Sequence, residues 1–523
     1  MVLSLLMGSG PCPCCAYSQA ASLLPFWPFQ RPRRRPVRGA SEVHPRAEPA
    51  LSEELHIEGA TVVDPRDGGK AAGMTVITQG GRILDVVPVG SKPPRPSVQV
   101  VDAAGKFIVP GYNDMHSHVL ELEDPSGGLA LMLAEGVTGF RQMSGSPALL
   151  EKRRNGELPI GRDAPQLWET PGTILTPFNA GSAEEVVAEI RRQKEQGADF
   201  VKMGLTSPEV FFAAIAEGKR MGIPILGHLQ EGADALAASR AGFRSIEHLG
   251  PGSTIWVSCS TEEERLRADN YKRPFIKAPP IKLPFLERLI MRRFRTLLIN
   301  PSAFAHPGDV ARIGHAIDTF SEAKCESVAE RFVADGTWHI PTLVRLRTQE
   351  LADDPDYERD ELLEYMPRED VQKWRQVTDR FKKLPPDMLG TYRKAYPRQR
   401  ELARRFGHSG VRMMTGTDGG SLMGPGLTMR QEFSELAEAG FSPLKILQMT
   451  TINPAEYLGR RDTMGTVERG RDADMVLLDA DPLERVENLH RIAGVVRAGF
   501  YYSRRELDAL RSRVASNRGT LSR

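Results

Sequence analysis

Short apolar runs that stop at a polar residue recur along the chain. Phe107-Ile-Val-Pro-Gly-Tyr-Asn-Asp-Met leads into His116-Ser-His118, and Ala198-Asp-Phe-Val closes on Lys202. Ile223-Pro-Ile-Leu-Gly closes on His228, Arg244-Ser-Ile-Glu on His248, and Val411-Arg-Met-Met-Thr-Gly-Thr on Asp418. Runs of this length, bounded by Gly and Pro, predict buried strands. Eight candidate strands end near His116, Met143, Glu169, Lys202, His228, His248, Thr342 and Asp418. Helical periodicity between them is clearest over Ala183 to Gln196, Pro208 to Met221 and Gly232 to Ala241. Alternating strands and helices are the pattern of parallel βα units, and eight of them predict an α/β fold, a (β/α)8 TIM-like barrel.

The flanks carry a different pattern. Thr61-Val-Val-Asp, Thr75-Val-Ile-Thr, Arg82-Ile-Leu-Asp-Val-Val and Val98-Gln-Val-Val-Asp read as strands with turns between them. Gly465-Thr-Val-Glu, Ala473-Asp-Met-Val-Leu-Leu-Asp and Ile492-Ala-Gly-Val-Val-Arg-Ala-Gly repeat this near the other end. Neither set buries a core alone, so a small β-sandwich domain built from both chain ends is expected. The predicted division is an N-terminal segment 1–54, sandwich parts 55–108 and 456–505, a barrel 109–455 and a tail 506–523. Two insertions, about 253–334 and about 350–408, exceed what a barrel needs. The first holds an amphipathic basic stretch from Leu286 to Ile299 that fits a lid helix; the second is charged and helical in composition.

Composition changes little in this picture. The 523 residues exceed one ordinary core but suit a barrel with an accessory domain. Lys and Arg total 69 against 67 Asp and Glu, a net +2, which excludes nucleic acid or an anionic membrane as the main partner. Cys12, Cys14 and Cys15 cluster at the start, leaving only Cys259 and Cys325 beyond, so no disulfide framework is expected. No apolar run reaches the roughly 20 residues of a transmembrane helix. Residues 1 to 50 read as disordered by composition. A cytoplasmic location is favoured over export unless residues 1–20 act as a signal peptide, for which Ser18-Gln-Ala20 is the cleavage-like element.

The chemistry lies at the strand ends. His116 and His118 stand at i and i+2 of a strand, so both imidazoles face one side. With His228, His248 and Asp418 they form a donor set without thiolates, suited to zinc and its divalent neighbours. Lys202 cannot ligate a metal as an ammonium ion. Buried at the end of Phe200-Val-Lys-Met it favours the neutral amine, which carbon dioxide converts to a carbamate able to bridge two cations.

With these residues in view, the chain resembles the amidohydrolase superfamily, in its binuclear branch with a carboxylated lysine. The nearest likeness is to prolidase-type Xaa-Pro dipeptidases and imidazolonepropionase-like members. The likeness rests on Val109-Pro-Gly-Tyr-Asn-Asp-Met-His-Ser-His, Gly136-Val-Thr-Gly-Phe, Val201-Lys-Met, Gly227-His, Ile246-Glu-His and Thr415-Gly-Thr-Asp-Gly-Gly. Thr450-Thr-Ile-Asn-Pro-Ala and Gly470-Arg-Asp-Ala-Asp-Met-Val extend it, to cover about residues 55 to 505. The resemblance implies two divalent metal ions. His116, His118 and Asp418 would hold one, His228 and His248 the second, and carbamylated Lys202 would bridge both. It further implies Asp418 as the catalytic general base and then acid, serving a metal-bridging hydroxide that attacks an amide.

The expected function is hydrolysis of a carbon–nitrogen bond in a small-molecule or dipeptide-like substrate. The alternatives are ester, lactone or phosphotriester hydrolysis on the same centre, a single-metal deaminase, and a non-catalytic barrel scaffold. A homo-oligomer is compatible with the sequence. His339 could touch substrate but fits a core position at least as well, and nothing in their spacing recruits His306, His315 or His408. Glu247, one residue before His248, is expected to point away from the metals in a supporting role. Tyr271, Arg345 and Tyr365 are weaker candidates for substrate contact.

Overall fold

The computed structural model of the chain describes residues 53–230, 232–248, 254–271, 299–419 and 427–517. The predicted N-terminal segment through residue 52, and the basic stretch from Leu286 to Leu298, lie outside these. From the start the strands are β1 (Leu55–Val63), β2 (Lys70–Gln79), β3 (Arg82–Pro88), β4 (Gln99–Asp102) and β5 (Phe107–Pro110). The middle of the chain holds β6 (Tyr112–Ser117), β7 (Val137–Gln142), β8 (Gln166–Glu169), β9 (Val201–Met203), β10 (Ile225–Gly227), β11 (Ser245–Glu247) and β12 (Trp338–Ile340). The last three are β13 (Met475–Leu478), β14 (Ile492–Arg497) and β15 (Phe500–Ser503).

The two chain ends meet in one hydrogen-bonded sheet of eight strands, ordered β15-β14-β13-β5-β1-β2-β3 with β4 also on β1. The junction is β13 on β5, antiparallel, with Met475 opposite Pro110 and Leu478 opposite Phe107. Its own core includes Ile57, Val76, Ile108, Met475, Leu477 and Val496. Two sequence expectations change here. Gly465-Thr-Val-Glu forms turns instead of a strand, although Val467 still joins the core. The stretch read as a tail continues from β15 into helix Arg504–Asn517, which buries Leu507 and Leu510.

The middle strands form two parallel sheets, β6-β7-β8 and β12-β11-β10-β9. Single parallel bridges link them: Leu175, beyond β8, pairs with Met203 of β9, and His339 of β12 pairs with Met413. Gly419 then pairs back to Ser117 of β6. The expected strand ending at Asp418 is thus an extended link between β12 and β6, not a regular strand. All six residues of β6 and of β7 are buried, as in sheets covered on both faces.

The covering helices start and stop where the sequence directs. In Pro208–Met221 the Ser207 side chain accepts from Val210 N, proline fills the first turn, and Gly222 closes the helix at φ +66°. The charged insertion near 350–408 forms helices Arg368–Phe381 and Pro386–His408. Trp374, Val377, Phe381 and Tyr392 bury a separate small core there.

Candidate metal centre

All six sequence-predicted site residues stand at the C-terminal ends of the parallel strands or just beyond, and they converge. His116 Nε2 lies 3.1 Å from Lys202 Nζ and 3.3 Å from Asp418 Oδ1. His118 Nε2 lies 3.1 Å from Asp418 Oδ1, and His248 Nε2 lies 3.9 Å from Asp418 Oδ2. The ring centroids of His116 and His248 are 4.7 Å apart, and those of His228 and His248 are 5.2 Å apart with the rings tilted by 48°. His116, Lys202 and Asp418 are buried, Lys202 and His116 at 0% exposure. Among the described residues, the His, Cys, Asp and Glu side chains that offer three ligand atoms within 4.8 Å of one another are His116, His118 and Asp418.

Each imidazole is anchored through the same nitrogen. His116 Nδ1 donates to Glu247 Oε2 at 2.7 Å, and His228 Nδ1 donates to the Gly204 carbonyl at 3.2 Å. His118 Nδ1 pairs with Ser144 Oγ and His248 Nδ1 with Thr342 Oγ1, both at 2.6 Å. A hydrogen bond on one ring nitrogen orients the ring and leaves the other nitrogen to a cation. The Nε2 atoms of His116 and His118 and the Asp418 carboxylate, with the Lys202 amine, His248 and His228 next to them, are a donor set that fits divalent metal.

The backbone bends to bring these groups together. His248 (φ +66°), Thr342 (φ +45°) and Asp418 (φ +53°) take the left-handed conformation. For residues other than glycine this costs on the order of 1–3 kcal/mol each. The supporting role expected of Glu247 holds: its carboxylate meets His116 Nδ1, the ring nitrogen turned away from Asp418 and Lys202, and the left-handed turn falls at the next residue, His248. Gly416 answers a packing demand: a Cβ there would sit 2.5 Å from the Ile340 side chain and 2.7 Å from His116 Cβ.

Behind the ligands lies a layer of buried polar groups. Asp114 accepts from the amides of His116 and Thr417, both at 3.1 Å, and from Thr417 Oγ1 at 2.7 Å, tying β6 to the link that carries Asp418. Burial pushes its carboxyl up to about 6 against these hydrogen bonds. Glu247 is the contrast: burial opposes its charge as well, but Arg141 and His116 hold it well below the usual carboxylate range. Arg141 donates to Glu247 Oε1 at 2.8 Å.

Arg345 is buried with Nε 3.5 Å from Asp418 Oδ2, so this weaker candidate belongs to the site. Tyr365 lies among Arg511, Glu364 and Glu135, away from the ligands named above; the Tyr271 side chain falls outside the described residues. His339 packs between Phe332 and Phe406 on the helix side of β12, ring centroids 5.5 and 5.1 Å away. The core reading holds for it. His306 caps a helix through Gly308 N, and His315 pairs with Glu262. Ser144, Thr342 and Arg141 were missed by sequence reasoning. Only Arg141 carried a signal, a lone charge inside the run Val137-Thr-Gly-Phe-Arg.

The parallel strands and the donor cluster define a class, α/β proteins that gather metal ligands at strand ends. Residues 306–500 match the Amidohydrolase family. A dihydroorotase of Pelobacter propionicus is 28% identical over 192 residues, covering 34% of this chain and 43% of that protein. The chain therefore spans less than half the length of this curated relative. The solved structure of a bottromycin amidohydrolase superposes with a TM-score of 0.63 at 21% identity, covering 89% of this chain and 90% of that one. A Xaa-Pro dipeptidase with methionine bound in its active site gives 0.56 at 16% identity, covering 86% and 100%. The family match thus covers residues 306–500, and the solved structures share the fold of the chain.

Proposed function

We propose that the chain is a metal-dependent hydrolase that cleaves a carbon–nitrogen bond in an amide or dipeptide-like substrate, and that its centre is binuclear. His116, His118 and Asp418 would hold one cation and His228 and His248 the other, with Lys202, carbamylated, between them. Zinc is the metal best matched to imidazole and carboxylate donors. A divalent pair in such a site supplies an activated water and a polarised carbonyl. The chain's residues do the rest. Asp418 sits where it can take the proton of the attacking water and return it to the leaving amine. Arg345, 3.5 Å from that carboxylate, keeps a positive charge beside it. Full burial of Lys202 among imidazoles favours an uncharged amine, the form that reacts with carbon dioxide.

The reading is carried by one observation: four imidazoles tied back through Nδ1, three of them with Nε2 within 3.9 Å of Asp418, beside the buried Lys202. It is supported by the match of residues 306–500 to the Amidohydrolase family and by the fold shared with structures named as an amidohydrolase and a dipeptidase. We infer, too, a closed (β/α)8 barrel over residues 109–455, with the terminal sheet (55–108 and 456–505) as its accessory domain. Support comes from the bridge order, which runs from β6 through β12 and returns to Ser117 by way of Met413 and Gly419.

The test combines elemental analysis with a substrate panel. Purified full-length protein should carry two divalent ions per chain, and Lys202→Ala should lower that count. Wild-type protein should hydrolyse members of a panel of dipeptides and N-acyl amino acids. One ion per chain, or metal-loaded protein inert to the panel but active on esters, would overturn the reading.

A further inference from the structure

Beneath His116 lies a charge pair that the proposed chemistry does not use. Arg141 of β7 and Glu247 of β11 both have fully buried side chains. Arg141 spends its guanidinium on three partners: Nε on the Met115 carbonyl (2.8 Å), one terminal nitrogen on Tyr457 Oη (2.9 Å) and the other on Glu247 Oε1 (2.8 Å). Glu247 Oε1 also accepts from Ser245 Oγ at 2.8 Å, and Oε2 accepts from His116 Nδ1 at 2.7 Å. The carboxylate is thus held at Oε1 by two donors and offers Oε2 to one imidazole.

Packing alone gives no reason for this arrangement. Burying an ion pair costs several kcal/mol per ion, and apolar replacements of similar volume are often as stable or more so. What the pair gains is control of one ring. Since Glu247 accepts the hydrogen bond of Nδ1–H, the proton stays on Nδ1 and His116 keeps the tautomer whose Nε2 lone pair faces Lys202 and Asp418; a carboxylate behind an imidazole also raises its basicity as a ligand. The Arg141 bond to Met115 fixes the backbone one residue before His116. Tyr457 closes helix Ile452–Tyr457, which includes most of the Thr450-Thr-Ile-Asn-Pro-Ala segment, so that segment is tied into the same network.

We propose that Arg141 and Glu247 are positioning residues that set the metal affinity of this centre by locking the orientation and tautomer of His116. This rests on His116 being a metal ligand. The pair touches neither substrate nor reacting atoms, and its effect is on binding of the cation itself.

The experiment measures zinc affinity of the full-length protein against a competing chelator, with melting of the metal-stripped forms followed in parallel. Glu247→Gln keeps the shape and removes the charge; its zinc dissociation constant should rise about 10- to 100-fold, the range seen when partners behind metal ligands are removed. Ser245→Ala, a milder change that removes one donor to Oε1, should shift affinity in the same direction by a smaller factor. It carries the test if Glu247→Gln does not fold. Loss of melting temperature in the stripped proteins with unchanged zinc affinity would show the pair to be only structural and overturn the proposal. Wild-type protein that binds no zinc would instead overturn the metal-centre reading on which it rests.

Discussion

The terminal sheet and the central strands are both β-structure, yet they bury opposite things. In β1 and β2 exposure varies along the strand, from the buried run Thr75 to Thr78 to the exposed Lys70 and Gln79, and the core side is aliphatic. In β6, β7 and β9 to β12 every residue is buried, and among them are His116, Asp114, Arg141, Lys202 and Glu247. The first region spends burial on apolar area. The second surrounds polar groups with apolar walls, which strengthens each electrostatic contact and penalises any left unpaired. Stability and chemistry are therefore separable in this chain. Mutation should reveal the division.

The largest expected effect is at the mouth. Asp418→Asn retains size and one oxygen ligand but cannot accept a proton from water. With the metal content of the wild type retained, turnover should fall about 10²- to 10⁴-fold, the usual contribution of a general acid–base group, while the melting temperature stays near that of the wild type. Steady-state kinetics on a cleaved amide, with metal content measured on the same sample, checks this; unchanged turnover removes Asp418 from that role. The second effect is on the other side of the comparison. Leu477→Ala empties a fully buried position in β13, where the two chain ends join. A loss of about 2–5 kcal/mol in denaturant unfolding is expected, with kcat of the folded fraction unaltered. A drop in kcat equal to that from Asp418→Asn would show that the two regions are not separable.

The same division explains what the sequence could disclose. Ligand types and their places at strand ends were legible because a buried strand must be apolar, so a histidine or lysine at its tip stands out. The joining of the chain ends was legible because neither end had strands enough alone. The partner of Glu247 was not, since its carboxylate meets a histidine 131 positions away in the chain, and only the fold brings the two together. Ser144 and Thr342 were not either: a hydroxyl beside a loop is common, and only the fold places these two at 2.6 Å from imidazole nitrogens. The span before Asp418 reads as a strand by its apolar residues. It forms only isolated bridges, because the chain turns at Gly416 and Asp418 to pass His116 closely.

The smallest expected effect concerns the one central histidine turned from the centre to the helices. His339 is fully buried between Phe332 and Phe406, and neither ring nitrogen has a hydrogen-bond partner. Burial lowers its pKa to about 3, from an ordinary value near 6.5. Its folded pKa lies below its unfolded one, so between those values the unfolded chain binds a proton that the folded chain refuses. The stability this position contributes is complete above about pH 6.5 and is lost as the pH falls toward 3. His339→Leu removes the titration and two unsatisfied nitrogens while keeping an apolar side chain against the two rings. At neutral pH the variant should match the wild type within about 1 kcal/mol, with kcat unchanged. At pH 5 it should be the more stable of the two, and denaturant unfolding at both values decides the matter. A variant equally acid-sensitive would move the cause to other buried groups, and a variant with lost turnover would place His339 in the chemistry after all.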